Sequence, residues 1–416
     1  MIPQMEKPPA ERYGLRQLWA DFGLGYAANG FIGWLFAVTA PVAIILSVGS
    51  RGGLGEAEIA SWVFGVFFFN GLITILFCWL YRQPLVFFWT IPGTVLVGPA
   101  LAHLSFAEVV GAFYLTGLLM LVLSVTGWVR RAMAAVPMPI VMGMVAGVFL
   151  RFGLDLVRAL HEDLQIAAPM VLTWLLLSTM PSLGRRIPPL IGALLVGIGA
   201  ALLGGRFDSG TFATLELIQP VLQAPAWSLA AMIELVVPLA ITVLVVQNGQ
   251  GIAVLRAVGH QPPVNAITAA CGVGSMISAT FGGVSSCLTG PTNAIVSSSG
   301  EPRRHYTAGI FVGLLALVFG LLAPTFTRFL LDAPEAFVMT LAGLAMLKIL
   351  QAAFTTCFRD KFTLGALVAF LVTVTDLPLF SIGAAFWGLV AGILVSRLLE
   401  RQDFDEAGNK DADDAT

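Results

Sequence analysis

The chain has 416 residues, 57% of them hydrophobic and only 11% charged, where a soluble domain carries about a quarter charged residues. That balance excludes a soluble globular protein, and a net charge of -2 without a basic stripe excludes a nucleic-acid-binding surface. The apolar residues come in runs of about twenty, the length a helix needs to cross hydrocarbon, so the expected fold class is an all-α polytopic membrane protein.

Residues 1–20 are charged and contain proline, and the first apolar run is too long for a cleavable leader; they are expected as a cytoplasmic segment ahead of a retained first span. About fourteen apolar segments follow by the length criterion. The first half holds Leu24–Val48, Ile59–Leu80, Leu85–Leu101, Val109–Val129, Val136–Phe152, Ala167–Met180 and Pro188–Leu203. The second holds Leu229–Val246, Val264–Phe281, Val284–Val296, Ala308–Phe326, Phe337–Phe354, Leu364–Thr375 and Leu377–Val395. The acidic, polar stretch 400–416 has the composition of a disordered cytoplasmic tail. With the amino terminus inside, 16 Lys and Arg fall on the cytoplasmic side against 5 outside, the asymmetry of the positive-inside rule. Both termini are therefore expected in the cytoplasm, and the chain in a bacterial inner membrane.

Two halves of seven segments would be inverted relative to one another, as in many secondary transporters. At an offset of 197, Gly93 matches Gly290, Pro137 matches Pro334, Val141 and Met142 match Val338 and Met339, and Leu150 matches Leu347. Segments three and ten are the least like ordinary membrane helices: each has an extended stretch, a Pro/Gly break and an apolar run, in Gln83–Thr94 and Gly282–Asn293. Proline suits the first turn of a helix, which places half-helix starts near Pro92 and Pro291. Irregular backbone at membrane depth requires a cavity or protein to satisfy it, and helix starts favour anions. A small anionic solute held between the two starts is the expected ligand.

Gln247, Asn248 and Gln250 place amides at the end of segment eight, where polar side chains mark pathways or hydrogen bonds between helices. Asn29, and Thr39 beyond it, are candidates for the same cavity from segment one. Carboxylates such as Glu234, Glu301 and Asp376 fall near segment ends and none sits beside Pro92, Gln247 or Pro291. A coupled proton would then ride on the substrate's own carboxyl, or on an end residue such as Glu234 or His305. The four histidines read as solvated loop positions, and the four cysteines, without CxxC or Cys/His spacing, as small buried hydrophobes. Gly143/Gly147, Gly309/Gly313 and Gly388/Gly392 have the spacing for close helix approach, within the chain or in a homodimer. No nucleotide, metalloprotease or hydrolase motif occurs, so neither an enzyme nor a cofactor is expected.

The run Gln247–Pro263, with Trp89-Thr-Ile-Pro-Gly93, resembles the benzoate:proton symporter (BenE) family, within the wider nucleobase and sulfate/anion carrier fold. The resemblance implies a core domain of segments 1–4 and 8–11 (21–130 and 229–327) and a gate domain of segments 5–7 and 12–14 (131–228 and 328–399). It implies short strands with half-helices in segments three and ten, and proton-coupled uptake of benzoate or a related aromatic carboxylate by alternating access. Carried over residue by residue, it makes Thr90, Gly93, Thr94, Gln247, Asn248, Thr289, Gly290, Thr292 and Asn293 the substrate-binding set, to which Ser286 of the tenth segment and Asn29 are added; Phe88 and Trp89 would contact a ring. The family's tenth-segment motif is rich in Gly, His, Asn and Ala, whereas this chain reads Ser285-Ser-Cys-Leu-Thr-Gly-Pro-Thr-Asn-Ala294. Amides and hydroxyls replace the acidic residues of nucleobase carriers, which disfavours a nucleobase. An inorganic anion or bicarbonate is the alternative substrate, and a membrane-embedded enzyme the alternative class.

Overall fold

The computed structural model describes residues 5–9, 14–129, 131, 137–180, 187, 189–206, 215–298, 300–377, 379 and 384–404. Among these, seven helices are long and apolar enough to cross a membrane and six more are apolar with 10–17 residues. Together with the strand and short helix over Ser286–Val296, they fall one for one on the expected segments. Helices satisfy their own backbone, as hydrocarbon demands. Their side chains follow the same solvent: Phe106–Thr126 exposes Leu118, Val122 and Val125 while burying Gly111, Thr116 and Gly117. Large aliphatics face outward and small or polar residues face neighbouring helices.

The helices fall into two packing groups. Met138–Glu162 lies against Glu335–Cys357, Thr363–Val374 and Ala384–Leu399, with Leu164–Thr179 against Pro189–Leu203. In the other group Phe106–Thr126 packs on Val264–Ala279, and His305–Leu321 on Leu24–Val38 and Asn70–Tyr81. The expected boundary at 327/328 falls inside helix Ala323–Leu331, which lies against Glu56–Phe64. Pro137 and Pro334 each stand just before a long helix, so the offset of 197 holds at the starts of segments five and twelve. The small-residue pairs are used inside the chain: Gly143 approaches the Ala366 carbonyl, Gly313 that of Gly71 and Gly392 that of Gly365.

Several segment ends differ from expectation. Segment one is two helices, Leu24–Val38 and Ala40–Arg51, parted at Thr39. Segment five continues to Glu162, because Arg151, Asp155 and Arg158 recur at helical spacing and can all share one face. The tail is ordered at its start. The Glu400 carboxylate accepts from Leu364 and Gly365 amides at 2.8 and 3.0 Å, and Asp403 from Phe362 at 2.7 Å. These acids satisfy helix-start N–H groups that the helix cannot; residues 405–416 lie outside the described residues. Glu6 does the same for helix Val264–Ala279, accepting from Asn265 and Ala266 at 3.1 Å.

Two histidines are not solvated. His260 and His305 are buried against each other, Nε2 to Nδ1 3.2 Å. Burial, and then the neighbouring His305, push His260 down from 6.5 to about 4. His103 pairs at 2.9 Å with Glu234, which stands near the start of segment eight, as expected, and is buried there. The four cysteines are free and buried, as expected.

Candidate functional site

At the centre, Phe87–Trp89 (β1) and Ser286–Leu288 (β2) pair antiparallel, Phe87 opposite Leu288 and Trp89 opposite Ser286. Each strand runs into a helix one residue on, Ile91–Ala100 and Gly290–Val296. Both joints read Thr-x-Pro. The threonine is extended and its hydroxyl accepts from the amide three residues on, Gly93 at 3.1 Å and Thr292 at 3.3 Å. The proline has no N–H to leave over. The caps thus consume most of the free amides expected at these starts, and those of Ile91 and Gly290 remain. Strands, threonines and prolines correspond at an offset of 199, so Gly93 and Gly290 are not equivalent positions despite matching at 197.

A third Thr-x-Pro, Thr39–Pro41, marks the break in segment one. All three breaks border one cleft, lined by Phe36, Ala37, Pro41, Phe88, Trp89, Ile91, Gln247, Thr289, Pro291 and Thr292. Its free volume is about 20 Å³, room for roughly one water molecule. Phe67 supports the aromatic wall, its ring 5.4 Å from Phe88 and 4.9 Å from Trp89. None of the lining side chains carries a carboxylate.

The expected site residues divide into those that face the cleft and those that build it. Gln247, Thr289 and Thr292 line it. Among the described residues, neither the Gln247 amide nor the Thr292 hydroxyl has a hydrogen-bond partner, so both are available to a solute. Asn248 and Asn293 are committed to backbone. Asn293 accepts from the Val86 amide at 3.1 Å and donates to the Val86 carbonyl at 3.0 Å. Asn248 accepts from Leu288 at 2.8 Å and pairs with the Cys271 thiol.

Thr90 donates to Thr242 at 3.0 Å and Thr94 donates back to the Thr90 carbonyl at 3.0 Å. Gly93 gives room to Leu239, and Gly290 to the Gln250 side chain. Ser286 does not line the cleft; it lies beside Gly274 of helix Val264–Ala279, and among the described residues its buried hydroxyl has no protein partner. Asn29 lies two helical turns before Phe36, about 10 Å away along the axis, and does not line the cleft.

Phe36, Ala37, Pro41 and Ile91 line the cleft without having been singled out. Three of the four Thr-x-Pro triplets in the chain open helices around it, and that recurrence is the signal that marks them. The wide, π-helical winding of Thr242–Asn248 brings Gln247 to the cleft and Asn248 to β2; such turns recur at functional sites.

The architecture is shared with solved transporters. The transmembrane domain of a cyanobacterial bicarbonate transporter, BicA, superposes with a TM-score of 0.61 at 17% identity, over 92% of this chain and 99% of that one. Murine Solute Carrier 26 family member A9, an anion transporter in its inward-facing state, gives 0.60 at 14% identity, over 92% of this chain and 70% of that one. In sequence, the inner membrane protein YdcO of Escherichia coli is 29% identical over 370 residues, 87% of this chain and 93% of that protein. A benzoate membrane transport protein of Acinetobacter baylyi is 25% identical over 392 residues, 92% and 98% of the two chains. The model of the BenE family, benzoate membrane transport protein, matches residues 20–398, and the chain belongs to this family of multi-pass membrane transporters.

Proposed function

We propose that the protein takes up benzoate or a related aromatic monocarboxylate together with a proton, across a bacterial inner membrane with both chain termini in the cytoplasm. The observation that carries this reading is the chemistry of the cleft. Its wall is aromatic, from Phe36, Phe88 and Trp89, and its lining residues' unengaged polar groups among the described residues include the Gln247 amide, the Thr292 hydroxyl and the Trp89 indole N–H. A ring lies against the wall while these donors, with the positive end of helix Ile91–Ala100, hold the carboxylate. A small hydrated inorganic anion would lose its water there with no apolar surface to offset the loss.

The cleft is too small for an aromatic acid until it opens. The two packing groups supply the motion: a core of 21–130 and 229–331 shifts against a gate of 131–228 and 332–399, keeping helix Ala323–Leu331 whole. The proton travels on the substrate's own carboxyl, since no cleft-lining side chain titrates near neutral pH. A folded Glu234→Gln protein should then keep gradient-driven accumulation; its loss would assign the proton to the Glu234–His103 pair.

The likeness to a bicarbonate transporter favours a second reading, exchange of bicarbonate or another inorganic anion. Uptake of labelled benzoate into proteoliposomes under an imposed pH gradient separates the two. Gradient-dependent accumulation, competed by substituted benzoates and not by bicarbonate, sulfate or chloride, is expected. Absence of accumulation, or competition by bicarbonate alone, would replace the aromatic acid with the inorganic anion.

A further inference from the structure

A cavity of about 390 Å³ lies apart from the cleft, bordered by both packing groups. It shares two helices with the cleft. Ala40–Arg51 gives Pro41 to the cleft and Val48 to the cavity, while Ile91–Ala100 gives Ile91 to the cleft and Val95 and Gly98 to the cavity. Those positions recur at four- and seven-residue spacing, so each helix presents one face to both spaces. The cavity begins about 10 Å further along that face, where a solute entering from one side of the membrane would pass.

Its charges are sorted by depth. Asp155 is nearly buried, at 6% exposure, and binds Arg51 and Arg158, each at 2.9 Å. Their own side chains are 36% and 59% exposed. Glu234 is likewise sunk, at 4%, beneath its contact with His103. An arriving solute therefore meets the Arg51 and Arg158 guanidinium groups, with the Asp155 carboxylate behind them.

Arg151 is the least neutralised of the three. It is 56% exposed and stands 3.9 Å from Asp376, itself 51% exposed, a separation that screening by water makes weak. Asp376 is thus the exposed acid that competes for Arg151.

We infer that this cavity is an anion-docking vestibule, in which the carboxylate of the arriving substrate displaces Asp376 from Arg151, beside Arg158, before moving to the cleft. The step rests on the transport reading above. By the lysine and arginine asymmetry the vestibule opens on the outer face.

The sign of the accessible charge can be measured without any substrate. Leu154 is exposed and lines the cavity, which makes it the position for a probe cysteine, and the native cysteines are buried. In right-side-out vesicles, Leu154→Cys should react faster with a sulfonate-bearing methanethiosulfonate than with its trimethylammonium counterpart, relative to a free thiol. Arg151→Gln should reduce that preference roughly twofold, the effect of one charge at several ångströms in water. Arg151→Lys should retain the preference, Asp376→Asn should raise it, and added salt should erase it.

A preference unmoved by Arg151→Gln, or labelling only from the cytoplasmic face, overturns the vestibule. In transport, Arg151→Gln should raise the half-saturating benzoate concentration severalfold with maximal rate unchanged, and Asp376→Asn should lower it. A fall in maximal rate alone for both would mark a structural latch and overturn the docking role. If the wild-type protein moves no benzoate, the functional reading fails while the labelling ratios still decide the vestibule.

Discussion

Segments three and ten have the same backbone and opposite side-chain roles. Each is a short strand, a threonine cap, a proline and a half-helix. Segment three contributes Phe88 and Trp89 to the cleft, and its threonine hydroxyl is spent on Gly93 and Thr242. Segment ten contributes Thr289 and Thr292, and its small strand residues, Ser286 and Cys287, are not among the lining. One half is a wall and the other a polar floor. The amides teach a related lesson: Asn293 and Asn248 hold the strands in place, and Gln247, next in chain to Asn248, lines the cleft. Burial of a polar residue at mid-membrane does not by itself say which task it performs.

The sharpest way to break this comparison is Asn293→Ala. It strands the buried Val86 amide, at a cost of about 1–3 kcal/mol for that group alone, and removes the tie between the two segments. Thermal unfolding of the purified protein in detergent should fall by several degrees or more, and Asn293→Asp should not rescue it, because a carboxylate cannot donate to the Val86 carbonyl. Normal stability with lost benzoate affinity would instead place Asn293 among the solute's ligands.

Gln247→Leu should do the reverse. Among the described residues the amide has no protein partner to strand, so unfolding temperature is expected to stay within about a degree, while affinity for labelled benzoate falls about tenfold, the loss of a hydrogen bond to a charged group. Thr292→Val keeps the shape and the cap it receives through its backbone, and removes only the hydroxyl. A smaller loss in the same binding measurement, about three- to fivefold, is expected, again without a change in stability. Equal effects of both on stability would show that they build the cleft rather than face it.

Much of this arrangement was legible in the residues. Runs of apolar sequence located the segments, because the bilayer imposes length, and the Pro/Gly breaks located the half-helix starts near Pro92 and Pro291. The division of labour among the polar residues was not. Asn293 reaches Val86 across 207 residues of chain, and neither neighbour's sequence announces the other. The break at Thr39 was hidden inside an unbroken apolar run, although its Thr-x-Pro matches the other two. Asp155 escaped notice because the charged turn after Phe152 reads as a loop, whereas Arg51, distant in sequence, neutralises it and lets the helix continue. The repeat offset misled at segment ten for a simpler reason: glycine is frequent in this chain, and a two-residue change of offset between element pairs leaves chance matches in place of structural ones.

Ser286 provides the finest test, since sequence placed it among the ligands and the fold leaves it out of the cleft lining. Its amide is held by the Ser275 hydroxyl at 2.9 Å, so the strand does not depend on its own side chain. Among the described residues the Ser286 hydroxyl, buried beside Gly274, has no protein partner, and an unpartnered buried hydroxyl is destabilising. Ser286→Ala should therefore leave benzoate affinity unchanged and stability equal or higher by up to about 1 kcal/mol, read as a small rise in unfolding temperature. Weakened affinity at preserved stability would mean that the strand turns this side chain toward the solute during transport, and the polar floor of segment ten would then extend one face further than the cleft now shows.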